Sequence, residues 1–198
     1  GVTNEPAEYV TSEDYGILAF VRLGQLWMYK YNDSSLTNIF SYPQDSFSDA
    51  RTLNTNLDIN IADMDADGNI YFVVYGYMNR GEHEGKNGMS LYYYSAENMT
   101  TQELFFVECD ESYDIMKKET GRFTYYNAQT NKFYYLLDET LYEVSLADMT
   151  QTALVEGIPS AKYFVSANRK LVAYPNNAED EQVTAITIQN FETGETYE

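Results

Sequence analysis

The chain is short of the residues that most often carry chemistry. A single cysteine, Cys109, excludes an intramolecular disulfide and any Cys-x-x-Cys pair for zinc or thiol redox work. It follows the apolar run LFFV and reads as a packed, inert thiol. A single histidine, His83, has no serine or cysteine signature beside it, so it is a poor start for a nucleophilic triad. Set between Glu82 and Glu84 in NRGEHEGKNG, it reads as a solvated loop residue, with a metal held among the three as the competing reading. The one tryptophan, Trp27, falls inside a strand pattern and reads as a packing residue ahead of a sugar platform. Bases are scarce too, 12 against 31 acids, for a net charge of -19. Such a surface repels phosphate backbones and anionic lipid, which argues against nucleic-acid partners. No apolar run reaches the roughly 20 residues of a membrane helix, so no membrane insertion is expected.

What is abundant is aromatic: twenty Tyr and ten Phe in 198 residues. Flat rings suit a pleated surface, and the apolar share of 44% is enough to bury a core. A phrase also recurs. MYKYNDSSLT (28–37), LYYYSAENMT (91–100), LYEVSLADMT (141–150) and ITIQNFETGE (186–195) each run from a strand-like opening through a polar turn. The last three start 50 and 45 residues apart, a period that suits stacked supersecondary units. Four units follow, over 8–42, 59–107, 122–157 and 161–198, behind a tether at 1–7. Each holds four short strands joined mostly by tight turns. The fourth ends in the stub ETYE, leaving room for only a thin last strand.

The second strands of the first three units, ILAFV, IYFVVY and FYYLL, do not alternate between apolar and polar residues. Continuous apolar runs call for cover on both faces, which a sheet gains when stacked between two others. The expectation is an all-β, propeller-like array of about four four-stranded antiparallel blades in a single domain over 8–198. It is either a small ring with one thin blade or a segment of a larger propeller.

IADMDADGNIYFVV (61–74) resembles the inner hairpin of bacterial propellers of the gluconolactonase and two-component-regulator type, in which D-x-D-G-N-[IL]-Y joins the first two strands of a blade. The LYxYxxxNMT phrases resemble the third strand and outer turn of the same repeats. The resemblance implies a repeat class. The gluconolactonase metal ligands have no residue-by-residue match here, so that activity is not carried over.

Within this hairpin Asp63, Asp65 and Asp67 precede Gly68, a D-x-D-x-D-G run. Two readings stand. One is a plain hairpin in which Gly68 and Asn69 supply positive φ. The other is a calcium loop, since alternate carboxylates can wrap an oxygen-seeking ion. Position twelve of the run is Val74, so a complete EF-hand is out. No other cofactor is expected.

Loop lengths divide the two ends of the array. Turns such as DADGN, NAQTN, ANR, AENMT and LADMT are short, whereas 43–58, 78–89, 108–121 and 175–182 are long and emerge on the opposite side. Binding tends to sit on long loops held by a rigid scaffold. The expected ligand surface is therefore the long-loop face, with Tyr77, Arg80, Glu82, His83, Glu84 and Tyr113. An acidic rim with aromatic residues suits a protein, a basic peptide or a carbohydrate. The leading expectation is a non-catalytic binding or interaction module. The alternatives are a metal-dependent hydrolase or lactonase of the propeller type, and a scaffold segment of a larger protein with no ligand of its own. The chain opens on Gly1, which reads as a trimmed end, and the polar tether suits a bacterial protein secreted from or anchored outside the membrane.

Overall fold

The computed structural model describes residues 8–12, 16–22, 24–41, 57–78, 81–110, 119–120, 123–158, 162–176 and 185–198. The tether at 1–7, Arg80, Tyr113 and most of the long links expected at 43–58, 108–121 and 175–182 lie outside these residues. Among the described residues there are strands and turns and no helix. The strands are β1 (Glu8–Ser12), β2 (Ile17–Arg22), β3 (Gln25–Lys30), β4 (Ser35–Ser41), β5 (Leu57–Met64), β6 (Ile70–Met78), β7 (Lys86–Ser95) and β8 (Thr100–Glu108). They continue with β9 (Thr124–Asn127), β10 (Lys132–Leu137), β11 (Thr140–Ser145), β12 (Thr150–Val155), β13 (Phe164–Val165), β14 (Leu171–Pro175), β15 (Ile186–Asn190) and β16 (Thr196–Tyr197). They form four sheets of four strands, each an antiparallel meander in which every strand pairs with its neighbours in sequence. The chain is thus an all-β, propeller-like array of blades. The fourth sheet is the thin one: its first and last strands have two residues each.

The recurring phrase is a recurring hairpin. It spans the third and fourth strands of every sheet, and the residue that closes the turn takes positive φ each time: Ser34 (55°), Met99 (52°), Met149 (59°) and Gly194 (77°). That left-handed residue closes the loop so that the fourth strand returns in register. Only Gly194 adopts it without the strain a Cβ brings there. Short polar side chains brace the turns, since Ser35 N–H donates to Asp33 Oδ1 (2.9 Å) and Thr150 N–H to Asp148 Oδ1 (3.2 Å). The hydroxyls of Ser35 and Thr150, followed by the Ser145 hydroxyl at Asp148 and by these backbone bonds, hold both exposed carboxyls below the usual carboxylate range.

β1–β8 and β9–β16 belong to two compact units. In the first unit, Ile17, Ala19, Val21, Leu26 and Met28 of the first sheet pack on Ile59, Ile61, Ile70, Phe72 and Val74 of the second. Phe40 joins the two, with ring centroids 5.1 Å from Phe72 and 4.7 Å from Tyr92. Thr101 on β8 donates to the Ile39 carbonyl on β4 at 2.6 Å, tying the outer strands together. In the second unit, Tyr134, Leu136 and Leu141 pack on Val172, Tyr174 and Phe191. Asn127 Nδ2 donates to the Phe191 carbonyl at 3.0 Å.

Burial explains the continuous apolar runs of β6 and β10. Beyond the faces just named, Val73, Tyr75, Met89 and Leu91 are buried on the other face of the second sheet, as are Phe133, Tyr135 and Leu137 on the third. β2 departs from the expectation. ILAFVR alternates buried and half-buried residues, so Leu18 and Phe20 keep partial contact with water despite their apolar character. Trp27, opposite Phe20 on β3, is half-buried on that same outer face. Cys109 is buried, as its setting predicts.

Candidate functional site

The second sheet carries most of the predicted site residues, at its two opposite ends. At one end the strands run further than their residues suggest. K-N-G-M reads as loop, yet Lys86 and Asn87 pair with Met78 and Tyr77 and extend the ladder. The loop expected over 78–89 shrinks to the link between Met78 and Lys86.

His83 is not a solvated loop residue. Its ring stacks on Phe106 (centroids 3.8 Å apart, planes 7° from parallel), and its Nε2 lies 2.8 Å from Glu103 Oε1. The side chain keeps only 16% of its exposure. Glu103 Oε2 accepts the Tyr92 hydroxyl at 3.0 Å, so one carboxylate joins the loop to the cross-strand partner on β7. Lys86 Nζ lies 5.9 Å from the Phe106 ring centre and 2.7 Å from Glu108 Oε2. The platform depends on Gly88. A Cβ there would lie 2.3 Å from the Val107 carbonyl oxygen and 2.6 Å from the Phe106 ring tip. With the imidazole turned inward, Glu82 and Glu84 stand exposed on either side, and Tyr77 on β6 is also exposed. The partners that hold His83 are 20 and 23 residues downstream, and no local spacing signals them.

At the other end the D-x-D-x-D-G run closes the β5–β6 hairpin. Asp65 Oδ1 accepts the Asp67 and Asn69 N–H groups (3.0 and 2.9 Å), and Asp65 Oδ2 accepts Asn69 Nδ2 (2.9 Å). Gly68 takes φ 84° as expected. Asn69 does not share the positive φ predicted for it; its contribution is the side chain, whose Oδ1 accepts the Ala96 N–H at 2.9 Å and couples the two turns at this end. Asp63 sits on β5 opposite Tyr71, beside a register shift. Burial pushes its carboxyl above the usual range, and the Asp65 charge adds to this, against the Met64 N–H that favours the anion. Among the described residues no group of three or more His, Cys, Asp or Glu is placed to hold a metal ion.

Beside these coupled turns lies an open cleft of about 460 Å³, lined by Lys30 from the first sheet with Asp67, Asn69, Tyr93, Ser95 and Glu97 from the second. The volume is within the range of small-ligand sites. Tyr93 packs on Tyr71 (centroids 4.9 Å), and burial, with the charges of Asp65, Asp67 and Glu97, raises its phenol. Asp65 and Asn69 are spent on the turn. The side chains of Lys30, Asp67, Tyr93 and Glu97 make no hydrogen bond or ion pair with other described residues. Of these four, the sequence pointed only to Asp67. The others sit in or beside the short turns that read as the plain end.

No protein-family model and no curated protein matches the chain. Its fold is similar to several solved structures. One is TolB from Acinetobacter baumannii, with a TM-score of 0.54, 13% identity, and 97% of this chain matched to 42% of that one. Another is the Malassezia sympodialis allergen Mala s 1, with a TM-score of 0.51, 10% identity, and 93% of this chain matched to 60% of that one. A third is the extracellular domain of BT4673 from B. thetaiotaomicron, with a TM-score of 0.50, 12% identity, and 100% of this chain matched to 23% of that one. The chain therefore spans less than two thirds of each. At these identities the likeness is one of propeller-type fold.

Proposed function

We propose that the protein is a non-catalytic binding module that works outside the cytoplasm and takes a carbohydrate in the cleft at the short-turn end of the second sheet. One observation carries this reading: Lys30, Asp67, Tyr93 and Glu97 converge on one cleft with their polar groups unspent, on turns braced by Asp65 and Asn69. An ammonium donor, two carboxylate acceptors and a phenol complement the hydroxyls of a sugar, and the hydrogen bonds of Asp65 and Asn69 brace the turns that present them. The opposite end, with Tyr77, Glu82 and Glu84 displayed around the docked His83, is a second contact surface within the same reading, suited by its acids to a basic segment of a partner. The extracytoplasmic setting is supported by the structural likeness to the extracellular domain of BT4673.

The test is ligand-observed NMR with neutral oligosaccharides of the malto, cello and xylo series. Saturation transfer from the protein is expected for at least one series. Lys30→Met and Asp67→Asn should each weaken it about tenfold or more, because a hydrogen bond to a charged group is worth ~1.5–3 kcal/mol. Glu82→Gln, at the far end, should leave it unchanged. Absence of transfer from all three series, or transfer indifferent to Lys30→Met and Asp67→Asn, defeats the reading.

A further inference from the structure

The fourth sheet has two unlike faces. One packs inward, with Val172, Tyr174 and Thr187 buried. The other carries a row that crosses all four strands, because Phe164 pairs with Ala173, Ala173 with Ile188, and Ile188 with Tyr197. Partners in an antiparallel register point to the same side, so these four side chains form one apolar line. Pro175 pairs with Ile186 on the same face. Phe164 is 76% exposed, Ile186 52%, Tyr197 50% and Ile188 38%.

Two features set this face apart. First, FV, LVAYP and ITIQN contain no charged residue, in a chain whose net charge is -19. Second, it is large. With about 200 Å² for a fully exposed aromatic side chain, the row and its neighbours leave on the order of 500 Å² of apolar surface in water, near the upper end for a soluble monomer.

We propose that this face is where a second copy of the chain docks, sheet on sheet about a two-fold axis. A two-fold axis, the commonest symmetry of soluble oligomers, sets the same patch of both copies against each other, so each apolar row meets its own counterpart. Two sheets stacked face to face interdigitate such rows. The pair would bury about 1,000 Å² in total, the lower bound for a specific interface, which sets the expectation of a weak dimer with a micromolar dissociation constant. Glu195, whose carboxylate accepts the Tyr197 hydroxyl, brings a negative charge to the rim of the contact, and both copies carry the same net charge, so the dimer tightens as salt screens their repulsion.

Sedimentation velocity over a concentration series at low and physiological salt tests this. A monomer–dimer equilibrium is expected, shifted toward dimer by salt. Phe164→Lys and Ile188→Lys should each weaken it at least tenfold. Leu36→Lys, an equal charge change at an exposed position on β4, should not. Circular dichroism confirms that each variant stays folded. A chain that is monomeric at every concentration overturns the proposal, and so does a dimer indifferent to Phe164→Lys and Ile188→Lys. A monomer that instead binds an apolar dye in a Phe164-dependent way also overturns it, and hands the face to a different occupant, such as a further sheet.

Discussion

Asp63 shows how a residue can be conspicuous in a sequence for one reason and matter in the structure for another. Its spacing from Asp65 and Asp67 suggested shared ligation, but alternate positions on a strand and its turn need not converge. Asp65 turns back to accept three donors from its own hairpin, while Asp63 stays on β5 opposite Tyr71. The folded Asp63 carboxyl titrates above its unfolded value. Its contribution to stability is therefore fully present below the unfolded pKa, about 4, and is lost as pH rises through the folded value. Asp63→Asn, which keeps an oxygen for the Met64 N–H, should raise the denaturant midpoint at neutral pH and leave it unchanged at about pH 3. An unchanged midpoint at neutral pH would show that the burial cost is already offset. His83 carries the same lesson. Its neighbours Glu82 and Glu84 are the residues a sequence offers as partners, and it uses neither. The ring is held by Phe106 and Glu103, which strand pairing brings to it.

Among the elements, the β7–β8 pair was the most poorly legible. Asn87-Gly88 carries the signature of a turn, yet both residues lie within a ten-residue strand. The reason is non-local. Phe106 lies across the space a side chain at position 88 would fill, so glycine here serves close packing within a strand. Gly88→Ala is expected to cost about 1–3 kcal/mol through this overlap, more than the ~0.5–1 kcal/mol by which alanine otherwise favours a strand. It should also unseat His83, read as faster amide exchange over 81–85. Ordinary exchange there with unchanged stability would mean that Phe106 finds another seat without loss. The third-to-fourth-strand hairpins were the most legible elements. Their turns are closed by local residues such as Asp33, Asp148 and Gly194, so the same phrase makes the same hairpin in every sheet.

For the molecule as a whole, charge is the dominant global term. The Lys132–Glu143 ion pair is half-exposed and contributes at most about 1 kcal/mol, and the Lys170–Glu192 pair lies open to solvent, which screens it. Nineteen uncompensated negative charges repel one another throughout. Screening should therefore help more than it harms. Raising the salt from low to physiological ionic strength is expected to lift the melting temperature by about 2–4 °C, the shift that ~1 kcal/mol gives a domain of this size. A fall in melting temperature would show that the ion pairs outweigh the repulsion.

The strand class, the four units and their hairpins were determined by the sequence alone, because each rests on forces that act within a few residues: aromatic packing on a pleat, polar bracing of a turn, a left-handed residue at its close. Which faces are covered, which loop is docked and which polar groups remain unspent were decided only by tertiary packing. ILAFVR and IYFVVYGYM read alike, yet the first alternates in burial and the second does not, since burial depends on what a sheet stacks against. Lys30 and Tyr93 meet in one cleft across more than sixty intervening residues, and no local pattern encodes that meeting.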